Sequence, residues 1–238
     1  MLQQKKSDCL AFLATNPRTL AECNTITNDS NRNTCITIIA STDRNFLLCR
    51  EISDSNSKRN CLIKMTDFLN SDSNEDLCNE MRFTEDRDAC EKKLGENTKN
   101  DFYCKKINNT LLQNECYSKI GIARNDETIC AKVLATDPFE WDACFESVAT
   151  TNKDTNLCME IKNQEKMVNC INNIAVAMTS TGVCKLFSPR YMKSYSIFPL
   201  DFLCYKNYAI AKNDLLLCNM ITDKNIYKAC LDKNSAFR

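Results

Sequence analysis

The chain has 238 residues, with 31 Lys and Arg balanced by 31 Asp and Glu, no His, 17 Cys, three Gly and four Pro. A net charge of zero gives no field to draw nucleic acid or an anionic membrane surface. The lack of His removes Ser-His and Cys-His nucleophile systems, histidine zinc sites and c-type haem ligation, and so little Gly and Pro argues against a β-rich fold, leaving turn-making to Asn and Asp.

The opening stretch, MLQQKKSDCLAFLA, has a basic start but too little apolar core for a signal peptide. Cys9 heads a pattern that recurs to the end of the chain, an apolar residue four positions on (Leu13) and a small one five positions on (Ala14). From residue 17 the units carry two cysteines each. In the first, Thr19 stands four before Cys23 and Ile26 three after it, while Asn28 stands seven before Cys35, which Ile39 and Ala40 follow. The same frame gives Asn45, Cys49, Ile52, Asp54, Cys61, Met65 and Thr66, and then Asn74, Cys78, Met81, Phe83, Cys90, Leu94 and Gly95. The fourth unit, containing CKKINNTLLQNECYSKIGIARNDETI, is the cleanest copy, with Asn100, Cys104, Ile107, Asn109, Cys116, Ile120 and Gly121. Asp126, Cys130, Val133, Asp137, Cys144, Val148 and Ala149 come next, and then Asp154, Cys158, Ile161, Asn163, Cys170, Ile174 and Ala175. The last two units place Ser180, Cys184, Phe187, Ile197, Cys204, Tyr208 and Ala209, and then Asp214, Cys218, Ile221, Asp223, Cys230, Asn234 and Ser235.

Apolar residues three or four positions from a cysteine share its helical face, so each cysteine belongs to a buried stripe. Ser, Thr, Asn or Asp four before each first cysteine, and Asn or Asp seven before most second ones, are N-cap residues; Phe83 and Ile197 are the exceptions, and Pro138 follows Asp137 at the favoured first helical position. Each unit is therefore predicted to be two short helices, of about two turns and then three, with a small residue that lets a neighbouring helix approach. A period of about 26 residues, in pairs too short to bury a face alone, predicts an all-α fold: an α-solenoid of about eight two-helix repeats, each stapled by a disulfide. We expect one continuous domain over 1–238, comprising a half-repeat at 1–16 and repeats at 17–42, 43–70, 71–96, 97–123, 124–150, 151–177, 178–211 and 212–238.

Most cysteines are alternately 12 or 14 residues from the next, and 12 residues of helix rise about 18 Å, so each bridge must cross a turn. The within-unit register pairs Cys23 with Cys35, Cys49 with Cys61, Cys78 with Cys90, Cys104 with Cys116, Cys130 with Cys144, Cys158 with Cys170, Cys184 with Cys204 and Cys218 with Cys230, and leaves Cys9 unpaired. A shifted register leaves Cys230 instead. Spacing alone hardly separates them; the within-unit register is favoured because Cys9 heads a complete second-helix pattern whose first helix would lie upstream. Each closed loop should contribute on the order of 3 kcal/mol by restricting the unfolded chain. The polar Asn234 and Ser235 are expected to close the C-terminal end as a cap.

So many regular cysteines imply an oxidising compartment, hence an extracellular or cell-surface location. No stretch approaches the roughly 18 to 20 apolar residues that span a bilayer, and the sequons Asn28-Asp29-Ser30 and Asn108-Asn109-Thr110 are possible acceptors in a eukaryotic source. No two cysteines are separated by two residues, which leaves no thioredoxin-like dithiol or zinc ribbon, and with three glycines there is no phosphate loop. No cofactor, no metal and no catalytic residue is predicted.

The cysteine-to-cysteine units, several ending in an Ile-Ala or similar pair, resemble the cysteine-paired helical repeats of predicted secreted proteins from archaea and little-studied bacteria, and more distantly the cysteine-rich Sel1-like solenoids. The resemblance covers residues 9 to 235. It implies an extracytoplasmic solenoid and, for the Sel1-like group, roles as protein–protein adaptors.

Function in a repeat array tends to sit where the array departs from its own rule. Three segments do so: 62–77 is three residues longer than its counterparts, around Asp72; the turn ATDPFEW gains two residues and carries the only Trp; the turn between Cys184 and Cys204 gains eight. Phe139, Trp141, Arg190, Tyr191, Lys193, Tyr195 and Phe198 on the last two are the candidate partner contacts, since aromatic rings beside Arg and Lys favour protein interfaces. The expected function is a non-enzymatic binding or adaptor surface for a protein partner or for self-association. A structural subunit of a filament or surface layer, and a secreted hydrolase of unfamiliar mechanism, are the alternatives.

Overall fold

A computed structural model describes residues 19–70, 75–178, 180–187 and 200–235, which are helical throughout apart from turns and contain no strand. The longer helices among them are Asp29–Asp43 (α1), Ser55–Met65 (α2), Thr84–Thr98 (α3), Thr110–Arg124 (α4), Pro138–Asn152 (α5), Gln164–Met178 (α6), Leu200–Lys212 (α7) and Lys224–Ser235 (α8). The chain divides into two compact units, Met1–Cys116 and Tyr117–Arg238, with the division inside α4. No helix among the described residues is long and apolar enough to cross a membrane.

Eight disulfides join a short element to the long helix that follows it, in the within-unit register: Cys23–Cys35, Cys49–Cys61, Cys78–Cys90, Cys104–Cys116, Cys130–Cys144, Cys158–Cys170, Cys184–Cys204 and Cys218–Cys230. Sequence separation is 12 in all but two, 14 for Cys130–Cys144 and 20 for Cys184–Cys204, yet both of these exceptions keep a Cα–Cα distance of 5.5 Å. The sixteen half-cystines are at most 1 % exposed and run through the cores of both units. Such a set of bonds is consistent with an oxidising environment. Cys9 lies outside the described residues.

The N-caps form where the side chains dictate. Asn45, Asn100, Asp126, Asp154 and Asp214 each accept a hydrogen bond from the backbone N–H two residues on, and Thr19 with Glu22 closes a capping box. Asn28, Asp54, Asp137 and Asn163 cap the long helices through the N–H three residues on. Phe83, at the head of α3, makes no such bond. Asn74, Ile197 and the Asp72 insertion fall outside the described residues.

The first helix of each unit varies around the two turns predicted. It is one turn of α-helix in Leu20–Asn24 and Glu127–Cys130, and two turns of tighter 3₁₀-helix in Phe46–Glu51 and Leu215–Met220. The apolar residue beyond the cysteine follows the helix rather than extending it: Ile52, Ile107 and Ile221 are extended, at φ, ψ of −84°, 116°, of −71°, 126° and of −96°, 114°. Each donates its N–H to the cysteine carbonyl at 3.2, 3.2 and 2.9 Å, and this bond swings the side chain inward. Ile26, Ile52, Met81, Ile107, Val133, Ile161 and Ile221 are thus buried, at 2–5 % exposure, though not on the helical face that periodicity assigned them.

Five of the long helices, α1, α3, α4, α5 and α7, end in one motif, whereas α2 runs into a 3₁₀ turn through Thr66. The N–H of Asn45, Asn100, Asp126, Asp154 and Asp214 bonds back to the carbonyl of Ala40, Gly95, Gly121, Ala149 and Ala209 at 2.9–3.1 Å, and the residue before each takes the left-handed conformation: Arg44, Lys99, Asn125, Lys153 and Asn213, with φ of 52° to 56°. At these five junctions the residue that caps the next turn through its side chain therefore also closes the previous helix through its backbone, which ties one repeat to the next without a glycine at the bend. The small position serves the following disulfide. At Gly121 an added Cβ would stand 2.7 Å from Cys144 Sγ and 3.0 Å from Cys130 Sγ, and at Gly95 it would stand 3.3 Å from Cys116 Sγ.

Candidate functional site

In the second unit, the turn lengthened by two residues leads into α5. Asp137 accepts from the N–H of Glu140 at 3.3 Å, and Pro138 starts the helix where no donor is needed. This geometry fixes the two aromatic residues differently. Trp141 is half-buried: its ring lies 4.9 Å from that of buried Phe145, and its indole N–H donates to the Glu160 carbonyl at 2.8 Å. Phe139, two residues earlier in the first turn of α5, faces outward at 69 % exposure. Lys162 and Lys166 place their ammonium groups 4.8 and 4.9 Å from the Trp141 and Phe139 ring centres. The result is an aromatic and cationic edge on a rigid base. Arg190, Tyr191, Lys193, Tyr195 and Phe198 lie outside the described residues.

Asp142 makes that base rigid. It is 2 % exposed, and its two carboxylate oxygens accept the backbone N–H of Lys162 at 2.6 Å and of Asn163 at 3.0 Å, tying α5 to the head of α6. Asp88 does the same in the first unit, accepting from the N–H of Asn108 at 3.0 Å and of Asn109 at 2.8 Å. Both stand two residues before a second cysteine. Sequence reasoning passed over them because other units carry Asn33, Arg59, Val168 or Phe202 there.

Glu91 breaks another rule. The residue after each second cysteine is otherwise apolar or aromatic, as in Ile36, Leu62, Tyr117, Phe145, Ile171 and Tyr205, all of them buried. Glu91 takes that place at 1 % exposure, with Oε2 sealed from solvent and without a hydrogen-bond partner. Burial pushes its carboxyl up from the ordinary Glu value; Lys106 and Arg87 pull it down, and Glu75 and Asp88 push with the burial. Lys106 pairs with Glu75 and lies 4.8 Å from the Phe102 ring centre.

A cavity of about 310 Å³ opens in the first unit between the start of α2 and the turn at Glu80–Phe83. Its walls include Ile52, Leu62, Met81 and Phe83, with Lys58, Arg59 and Arg82 as cations. Arg59 is held by Asp86 at 2.6 and 2.8 Å and stacks 4.4 Å from the Phe83 ring centre; Arg50 pairs with Glu80. The signals for this cavity were visible in the sequence as two separate exceptions, Phe83 at a cap position and Arg59 where Asp88 and Asp142 stand in other units.

The described residues are thus all-helical, with eight regularly spaced disulfides. Comparison of the chain with protein-family models, curated proteins and solved structures finds no match.

Proposed function

We propose that this chain is an extracytoplasmic α-solenoid of the cysteine-paired short-repeat type, and that it binds another protein along the edge formed by Phe139 and Trp141. The carrying observation is Phe139 itself, a phenyl ring 69 % exposed on the first turn of a helix whose neighbouring Trp141 and Asp142 are anchored. An exposed ring on a fixed base contributes burial on docking at small entropic cost. The absence of His and the use of cysteine in structural bonds favour a non-catalytic role.

The test replaces Phe139 with Ser in the oxidised protein and compares the two forms as bait against the extracytoplasmic fraction of the source. The melting temperature should move by no more than about 2 °C, because a mostly exposed ring contributes little to folding, while one discrete interacting protein is lost. Retention of every interactor by the Phe139→Ser form, or a large fall in melting temperature, would remove this edge as the contact.

A further inference from the structure

Two repeats show which chemical group belongs at the head of a long helix. In both, an Asp two residues before a second cysteine reaches across to the next helix and accepts two consecutive backbone N–H groups: Asp88 from Asn108 and Asn109, Asp142 from Lys162 and Asn163. Asn109 and Asn163 then cap the same helices with their own side chains. A helix head presents donors and a positive dipole end, so an anionic acceptor there is stabilising.

At the head of α3 both devices are missing. The equivalent acceptor position, two before Cys61, carries Arg59, whose guanidinium is turned to Asp86. The equivalent donors are the backbone N–H groups of Arg82 and Phe83, and neither finds an acceptor among the described residues. Phe83 supplies no side-chain cap. Where a carboxylate stands in the other two repeats, the cavity of about 310 Å³ is lined by these same two residues.

The charges around the cavity are unbalanced in the same sense. Of its two acids, Glu80 is engaged by Arg50 and Asp86 by Arg59. Lys58 and Arg82 also line it and have no anionic partner among the described residues. The lining also includes the apolar residues Ile52, Leu62, Met81 and Phe83.

We propose that this cavity binds the C-terminal carboxylate of a partner polypeptide whose last side chain is apolar. The carboxylate takes the place that Asp88 and Asp142 fill from within the chain, accepting from the N–H groups of Arg82 and Phe83 beneath Lys58 and the Arg82 guanidinium. The last side chain rests on Leu62, Met81 and Phe83. A chain terminus is the only part of a polypeptide that carries a carboxylate and an apolar side chain on one residue; an internal Asp or Glu brings the charge alone. The volume, at the lower end of the range of about 300–1,000 Å³ for ligand pockets, holds one terminal residue rather than a folded segment. This site belongs to the first unit and stands independently of the Phe139 edge.

The experiment is a titration of the ¹⁵N-labelled, oxidised chain with three short acetylated peptides: one ending in a free leucine carboxylate, the same peptide as its C-terminal amide, and an amidated peptide with an internal aspartate. The free acid should move the Arg82 and Phe83 amide resonances, and the amide form should bind at least about tenfold more weakly, since charge-assisted hydrogen bonds are lost. Lys58→Ala with Arg82→Ala should weaken the free acid by a similar factor without altering the circular dichroism. Arg59→Asp should fill the place from inside and abolish binding. If that variant fails to fold, the Lys58→Ala, Arg82→Ala pair decides alone, because neither side chain makes an ion pair that the fold needs. Equal binding of the amide, preference for the internal aspartate, absence of binding, or shifts that leave Arg82 and Phe83 unmoved would each overturn the proposal.

Discussion

Gly95 and Gly121 occupy one structural place, five residues after a second cysteine, where α1, α5, α6 and α7 carry Ala. Changing either to Ala gains about 1 kcal/mol of helix propensity. At Gly95 the new methyl would meet the Asn100 carbonyl oxygen, Cys116 Sγ and Tyr103 Cβ all at 3.3 Å, which a shift of a few tenths of an ångström relieves. Gly95→Ala is therefore expected to be neutral or to stabilise by up to about 1 kcal/mol. At Gly121 the methyl would lie 2.7 Å from Cys144 Sγ, 3.0 Å from Cys130 Sγ and 3.2 Å from the Cys130 backbone nitrogen. None of these is the free end of a flexible side chain: two are the sulfurs of one disulfide, tethered at both ends, and the third is backbone. Overpacking of this kind costs about 1–3 kcal/mol, so Gly121→Ala should lose up to about 2 kcal/mol net and stand up to about 3 kcal/mol below Gly95→Ala. Urea unfolding followed by far-ultraviolet circular dichroism gives the comparison, with hydrogen exchange at the amides around Cys130 reporting a local loss, since repeats can open locally. If Gly121→Ala proves as stable as Gly95→Ala, the disulfide is not what requires the glycine, and the reasoning fails.

Three further predictions follow from the buried polar groups and the helix ends. Asp142→Ala leaves the Lys162 and Asn163 N–H groups without their acceptor and should destabilise the second unit by about 2–4 kcal/mol, read as a lower urea midpoint. Glu91→Leu should raise stability at pH 7 by about 1–3 kcal/mol. Because burial raises the Glu91 carboxyl in the folded state, its contribution is full below the ordinary Glu value and is lost as pH rises through the folded one, so melting profiles of the Leu variant should lack that decline. Lys153→Gly, at a left-handed residue with φ of 56°, should stabilise by about 0.5–1 kcal/mol, and no gain in melting temperature would mean that the Lys side chain carries compensating contacts.

The caps were legible in the sequence because each is decided locally: Asp154 accepts from the Asn156 N–H two residues on and donates its own N–H to the Ala149 carbonyl five residues back. The length of the first helix was not. The i+3 spacing of Cys49 and Ile52 fits a helix that continues through Ile52 as well as a short 3₁₀-helix with an extended exit, and only the burial of Ile52 is common to the two. Asp88 and Asp142 were illegible for a different reason. Their partners are backbone N–H groups 20 and 21 residues away, and a backbone donor leaves no mark in the amino-acid sequence. The Trp141 turn could be located from its extra residues, but not the division of labour in which Trp141 anchors and Phe139 is presented.

The disulfide at Cys184–Cys204 spans 20 residues, the one at Cys78–Cys90 spans 12, and both hold their Cα atoms 5.5 Å apart. The staple thus acts as a collar: whatever peptide is threaded between the two cysteines, its ends return to the same two points. Lengthening such a loop from 12 to 20 residues costs only about 0.5 kcal/mol in closure entropy, far less than the bond itself contributes. The design is that of a grafting frame, in which foreign segments can be mounted at successive collars while the register of the helices behind them stays fixed.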